Sequence, residues 1–207
     1  MAVPGDILFY RECRRLPFLS KGCDIDYEIF QLWPRPIRDC IGCNKCQGKG
    51  CIFKDDNDDA GNRFLEKAKE ADGFVFGTPV YFAHPSGQIL SFLNRVFYSS
   101  AVGELYPVFA GKPGAAIASA RRGGTTAAVD VIQKYFGIAS MPIVTSTYWN
   151  MVHGMTPDEV RKDLEGMQTM RNIGRNMAWM LKGFAKQEKE TSFADHVEAT
   201  HRTDFHH

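Results

Sequence analysis

The sequence predicts an α/β protein, a parallel sheet with helices packed on both faces, and three observations carry that prediction. Short apolar runs alternate with segments of 3.6-residue period from about residue 25 to residue 182. Glycine and proline close the runs, as they do where strands end in turns. A chain of 207 residues that is 44% hydrophobic is long enough to bury one sizeable core.

The elements follow in order. Asp24 to Leu32 alternates Ile25, Tyr27 and Ile29 and reads as a strand. Arg63 to Ala71 sets Phe64, Leu65 and Ala68 at helical spacing. Gly73-Phe-Val-Phe-Gly-Thr-Pro79 is a buried strand bounded by turn residues, and Ser86 to Ser100 is a helix whose apolar face is Ile89, Leu90, Leu93, Val96 and Phe97. Gly114 to Ala120 is a strand of small residues. The turn Arg121-Arg-Gly-Gly-Thr125 then leads into a helix over Thr125 to Phe136, with a threonine cap. Pro142 to Thr147 reads as the last strand. A long helix follows from Thr156 to about Lys182, with Pro157 in its first turn and Asp158 and Glu159 at its positive end. From Gly183 the chain is polar, and His196, His201, His206 and His207 are scattered as solvated side chains are. The expected organisation is one domain over residues 1–182, with a cysteine-rich loop at 40–51, and a polar tail over 183–207.

Composition removes several classes of function. The formal net charge is +1 and no basic block stands out, so nucleic acid is not an expected partner. No apolar stretch approaches the roughly 20 residues that span a bilayer, and the N-terminus lacks a signal-peptide core, so the expected compartment is the cytoplasm and no membrane is expected.

Four cysteines, Cys40, Cys43, Cys46 and Cys51, fall in the run C-I-G-C-N-K-C-Q-G-K-G-C. Such spacing brings four sulfurs into one small volume, as ligation of a [4Fe–4S] cluster requires. The last gap is one residue longer than in the ferredoxin run, and no proline follows it. Two further readings stand beside the cluster. One is zinc, although a second C-x2-C knuckle is missing; the other is a surface loop of reduced thiols, redox-active through Cys43 and Cys46.

In an open α/β sheet, ligands bind beyond the carboxyl ends of the strands. Thr78-Pro79-Val80-Tyr81-Phe82 there offers two aromatic rings beside a stiff proline, suited to stacking on a planar ligand; the other reading is that the rings cap the core. Ser119 to Thr126 offers glycines for close backbone approach, free N–H groups at a helix start, and the guanidinium groups of Arg121 and Arg122. Those suit an anion or a ring carbonyl, and an ordinary strand-to-helix turn is the alternative. Tyr148-Trp149-Asn150 follows the expected last strand, either over this pocket or in the core or an interface.

Taken together, Ile41-Gly-Cys-Asn-Lys-Cys46, Cys51, Asp55-Asp56, Gly77-Thr-Pro-Val-Tyr81, Pro85-Ser-Gly87, Asn94-Arg95 and Arg122-Gly-Gly124 resemble the flavodoxin-like NADPH-dependent FMN reductase family, in its iron–sulfur flavoprotein branch, over residues 25 to 182. The resemblance implies a three-layer flavodoxin-like fold with strand order 2-1-3-4-5 and FMN at the strand ends. Thr78, Pro79, Val80, Tyr81 and Phe82 would line the flavin ring, and Ser119, Arg121, Arg122, Gly123 and Gly124 would contact its polar edge. Cys40, Cys43, Cys46 and Cys51 would ligate a [4Fe–4S] cluster. It also implies homodimers or homotetramers in which the cysteine loop of one subunit lies near a neighbour's flavin, and electron flow between NAD(P)H or a small reduced carrier, FMN and the cluster, with no side chain needed as acid or base.

Two departures accompany the resemblance. Relatives open with a strand and a Gly-Ser-Pro-Arg-like loop for the FMN phosphate, whereas this chain begins Met-Ala-Val-Pro-Gly-Asp-Ile-Leu-Phe-Tyr10. The first strand and phosphate loop are thus atypical or missing. Ile7 to Tyr10 replaces that strand, with Arg11, Arg14 and Arg15 meeting the phosphate, or those arginines decorate a helix running to about Ser20, or the sequence starts late. Asn94 stands where relatives often carry Asp before Arg95, a change expected to weaken a helix-face ion pair. The alternative function is a flavodoxin-shaped thiol sensor or binding module with no cluster and weak or absent FMN.

Overall fold

The computed structural model describes residues 6–12 (backbone alone), 25–32, 36–46, 49–54, 60–102 and 106–186. Strand β1 is Asp6–Glu12 and β2 is Ile25–Gln31; β3 spans Gly73–Tyr81, β4 the two residues His84–Pro85, β5 Gly114–Ala120 and β6 Met151–His153. The helices are α1 (Ala60–Lys69), α2 (Gly87–Ser100), α3 (Thr125–Ile138), α4 (Pro157–Lys162) and α5 (Leu164–Phe184).

The strands lie in the order β2-β1-β3-β5-β6, with β4 folded back on β3. β3, β5 and β6 pair in parallel, and β1 pairs antiparallel with both β2 and β3, so β2 also points the way β3 does. The mostly parallel α/β sheet is as expected, but the parallel order fails at β1. The register sets Ile7 opposite Phe76 and Tyr10 opposite Gly73. The carboxyl end of β1 therefore lies at the opposite edge of the sheet from the carboxyl end of β3. The register with both neighbours sets this direction: Asp6 pairs with Gln31 and Glu12 with Ile25 on one side, and Ile7 with Phe76 on the other. Arg11, opposite Asp26, is consequently at the wrong end of the sheet for a phosphate beyond the strand ends. Arg14 and Arg15 lie outside the described residues, as do His196, His201, His206 and His207.

Alternation along β3 builds two cores. Phe74 and Phe76 face α1, α2 and α3, where Phe64, Phe92, Phe97, Phe109 and Phe136 fill the space. Val75 faces the other way, with Ala115, Val144, Ile173 and Met177 of α5. The alanines of β5 leave room for the rings, and at Gly114 a Cβ would stand 2.9 Å from the Met141 side chain. Helices on both faces make three layers.

Three elements differ from expectation for identifiable reasons. Pro142 to Thr147 is not a strand: Gly114 donates to the Pro142 carbonyl and accepts from Val144, and then the chain leaves the sheet. Side-chain bonds to α5 replace the ladder: Ser146 donates to the Thr169 carbonyl, Asn172 to Thr147 Oγ1 and Asn176 to the Thr145 carbonyl. The chain rejoins β5 at Asn150, whose carbonyl accepts from Ala118 at 3.0 Å, so Tyr148 to Asn150 precede the last strand. The long C-terminal helix breaks at Asp163, whose carboxylate accepts from the Gly166 N–H at 2.9 Å and caps α5. Thr156 caps α4, with Pro157 in the first turn, as the sequence predicts. At α3 the cap is Gly124 in a left-handed conformation, while Thr125 is buried and its hydroxyl bonds to Met151 sulfur.

Candidate functional site

β3 and β5 leave the sheet side by side, with Thr78 opposite Ala118 and Pro79 opposite Ser119. Thr78 is buried; its hydroxyl accepts from the Ser86 N–H at 3.0 Å and donates to the Pro79 carbonyl at 2.9 Å. Ser86 in turn accepts from Ile89 N–H and caps α2. Thr78 and the equally buried Pro79 thus fix the backbone course and the start of α2 rather than offering surface to a ligand.

Beyond them β3 and β4 form a hairpin with Phe82 and Ala83 as its two loop residues, both at positive φ, 51° and 58°. This is the mirror-image turn that suits strand twist and normally takes Asn-Gly. A phenylalanine there costs about 1–3 kcal/mol of backbone strain. Gly124 (φ 90°) supports the strained turn: a Cβ on it would lie 2.5 Å from Ala83 Cα and 3.0 Å from Val80 Cγ1. The hairpin and the Arg121–Gly124 turn are therefore in direct contact, and only glycine allows it. Tyr81 is half-exposed and Phe82 fully exposed. Arg121, Arg122 and Gly123 are also exposed, and Val80 and Ser119 are half-buried between the two groups. Two rings, two guanidinium groups and the first N–H groups of α3, which have no side-chain cap from Gly124, thus share one rim.

The cysteine loop lies elsewhere on α2. Cys40, Cys43, Cys46 and Cys51 are all unpaired thiols and line one small cavity with Ile41, Ile52, Phe53, Arg95, Tyr98 and Ser99. Two helices hold the loop, and a third backs one of the contacts. Asn62 of α1 accepts from Cys51 N–H at 2.7 Å and donates to the Cys51 carbonyl at 2.9 Å, and Gly50 makes room, since a Cβ there would stand 2.6 Å from Asn62 Oδ1. From α2, buried Arg95 donates to the Phe53 carbonyl at 2.8 Å, the Tyr98 carbonyl faces Cys46 Sγ at 3.9 Å, and the Tyr98 hydroxyl bonds to Asn44. Asn94, also of α2, donates to Asp39 at 3.0 Å and accepts from Tyr135 of α3 at 2.5 Å.

Inside the loop, Gly42 (φ 62°) and Asn44 (φ 55°) turn the backbone inward, and the Gly42 N–H points at Cys40 Sγ at 3.4 Å. Among the described residues no three His, Cys, Asp or Glu side chains are gathered tightly enough to hold a single ion. The space between the sulfurs is about 10 Å³, so the loop must open to take a polynuclear centre and must close in to bring a single zinc to about 2.3 Å from each sulfur.

A family model described as NADPH-dependent FMN reductase matches residues 15–156. The chain belongs to that family. An iron–sulfur flavoprotein of Methanocaldococcus jannaschii is 33% identical over 166 residues, 76% of this chain and 82% of that one. A second iron–sulfur flavoprotein of the same organism is 30% identical over 165 residues, 73% of this chain and 78% of that one. These matches put the chain in the iron–sulfur flavoprotein branch of the FMN reductase family. Among solved structures, RosB with its bound intermediate 8-demethyl-8-formylriboflavin-5'-phosphate covers 70% of this chain and 65% of its own at 14% identity and a TM-score of 0.50, which is a likeness of fold.

In this FMN reductase family member the two candidate regions are separate. From Gly87, beside the hairpin, to Tyr98, at the cysteines, α2 rises roughly 16 Å. The excursion 145–149 lines a further, open cleft of about 310 Å³ against Val129 and Gln133 of α3, with the Tyr148 and Trp149 rings edge to face at 4.7 Å. Sequence reasoning brought the cysteines and the strand-end loops forward but missed Asp39, Asn62, Tyr98 and Tyr135. These act across 11 to 55 residues of chain, and an isolated Asn or Tyr carries no local signal of such a partner. The Asn94 expectation also changes, because the partner is the cysteine loop and not an ion on its own helix face.

Proposed function

We propose that this protein is an FMN-dependent oxidoreductase of the electron-transfer kind, with FMN at the strand ends and a [4Fe–4S] cluster in the cysteine cavity. The observation that carries the reading is the set of four unpaired cysteines around one cavity, anchored by α1, α2 and the Asn94–Asp39 contact. Their four thiolates, with the Gly42 N–H directed at Cys40, match the donor set of such a cluster. When bound, FMN accepts a hydride and gives up electrons singly, and a cluster carries one electron at a time.

The residues at the strand ends fit the flavin ring. Tyr81 and Phe82 supply apolar faces, Val80 and Ser119 the floor, and Arg121, Arg122, Gly123 and Gly124 donors for the polar edge. Thr78 and Pro79 hold this frame. The phosphate end fits less well: the sequence after β1, residues 13–24, holds one Ser and no Thr, and Asp6 rather than a cation stands at the strand-end edge of the sheet, opposite Gln31. No acid or base is assigned, because hydride and electron transfer require none from the protein.

The donor we infer is NAD(P)H or a small reduced carrier. The roughly 16 Å of α2 between the two regions favours a homodimer or homotetramer in which a neighbour's cysteine loop approaches the flavin. Exposed Ile41, Ile52 and Tyr98 at the cavity rim suit such an apolar contact. We assign residues 1–182 to the flavodoxin-like domain and 183–207 to a polar tail, and place the protein in the cytoplasm; no helix among the described residues is long and apolar enough to cross a membrane. Protein prepared without oxygen tests the reading. Cys46→Ser is expected to lose iron and keep the flavin bands, and NADPH or NADH is expected to bleach those bands in the wild type. Flavin that neither nucleotide bleaches contradicts NAD(P)H and leaves the small reduced carrier as the donor, and unchanged iron in Cys46→Ser contradicts the site.

A further inference from the structure

One of the contacts that tie the cysteine loop to α2 passes through a side-chain amide that also reaches α3. Asp39 Oδ1 accepts from the Cys40 N–H at 2.7 Å and from Asn94 Nδ2 at 3.0 Å, and Asn94 Oδ1 accepts from the Tyr135 hydroxyl at 2.5 Å. Cys40, the first of the four thiols, is thereby joined through Asp39 to α2 and through Asn94 to α3. Both helices start at the rim described above, α2 from the Tyr81–Pro85 hairpin and α3 from Gly124.

Residue 94 must donate on one side and accept on the other, and an asparagine does both. An aspartate would face the Asp39 carboxylate at about 3 Å with no proton between them, exchanging a charge-assisted bond for like-charge contact. The Tyr135 ring is fixed against Phe97, with centroids 5.4 Å apart. Burial first, and then the Asp39 charge, raise the Tyr135 pKa, so its hydroxyl remains a donor.

We propose that Asn94 is a positioning residue for the metal-binding loop, its side-chain amide registering the Cys40 end of the loop on α2 and α3. This rests on the cluster reading for its purpose but not for its test. The diagnostic set is the wild type, the single variant Asn94→Asp, and the double variant that adds Asp39→Asn to it. The double variant keeps net charge and bond count. Both wild-type bonds fall on Asp39 Oδ1; in the double variant the introduced amide keeps the Cys40 N–H on its oxygen and turns its nitrogen, in the place of Oδ2, to the carboxylate introduced at position 94, which still accepts from Tyr135.

In metal-free, reduced protein, alkylation of buried Cys46, followed by peptide mass spectrometry, reports opening of the loop. Loss of the anchor is expected to speed it roughly tenfold in Asn94→Asp, with return to within about twofold of wild type in the double variant. After anaerobic reconstitution, iron loss to a chelator should follow the same order. Alkylation of Asn94→Asp at the wild-type rate overturns the proposal. So does a double variant no closer to wild type than the single one, which also decides the matter if Asn94→Asp is poorly folded. If wild type takes up no iron, the cluster reading fails while the alkylation series still tests the anchor.

Discussion

Gly124 carries more of the site than either arginine beside it. Its φ of 90° excludes easy replacement, and a Cβ would stand 2.5 Å from the backbone of a turn that is itself strained. Gly124→Ala is expected to cost about 1–3 kcal/mol of unfolding free energy and to weaken FMN binding at least tenfold by pushing the hairpin off the turn. Denaturant unfolding and a flavin-fluorescence titration measure the two. Gly123→Ala, at a position where a Cβ meets no protein atom within 4 Å, should leave the unfolding free energy unchanged. Equal effects of the two substitutions on unfolding would show that the contact between turn and hairpin does not shape the site. The sequence singled out Gly123 and Gly124 together, since both are loop glycines; only the packing of Ala83 separates them.

Two junctions between elements rest on single side chains. Asp163 ends α4 and caps α5, accepting from the Gly166 N–H at 2.9 Å and the His153 N–H at 2.7 Å, and so ties β6 to both helices. Asp163→Ala is expected to lower stability by about 1–2 kcal/mol, read as a shift in denaturant midpoint; an unchanged midpoint would contradict the capping role. Lys112 closes the other end of the molecule, donating to the Ala68 and Lys69 carbonyls at the C-terminus of α1. Desolvation lowers its pKa from 10.5 to about 8, partly opposed by the charge of Asp72. The folded pKa is depressed in a basic group, so between about pH 8 and 10.5 the unfolded chain binds more protons than the native one. Wild type should therefore gain stability relative to Lys112→Met as pH rises through that window and show a flat difference below it. A difference that stays flat, or falls, from pH 8 to 10.5 would contradict the buried setting of this amine. Legibility at this scale followed the range of the interactions. Strands β2, β3 and β5 and helices α1 to α3 were readable within a few residues because their patterns and stop signals are local. The excursion at 145–149 was not, because Thr145, Ser146 and Thr147 look like a β-branched strand until Thr169, Asn172 and Asn176 of α5 take up their hydrogen bonds. The direction of β1 was equally hidden, since strand content fixes neither partner nor orientation.

Across the whole molecule the cysteines and the strand-end loops were legible from spacing and order alone, while the framework joining them was not. Asn62, Asn94, Arg95 and Tyr98 reach the cysteine loop from helices distant in sequence, which is why the loop can be a rigid site without secondary structure of its own. The separation of the two regions along α2 gives an expectation for assembly. Light scattering on the purified protein should return a dimer or tetramer mass, and a monomer at micromolar concentration would contradict electron passage between subunits. That one chain carries both a cluster and a flavin is best tested by counting iron, acid-labile sulfide and FMN in a single sample purified without oxygen. We expect about four iron, four sulfide and one FMN per chain; one zinc in place of iron, or FMN with neither iron nor sulfide, would contradict it.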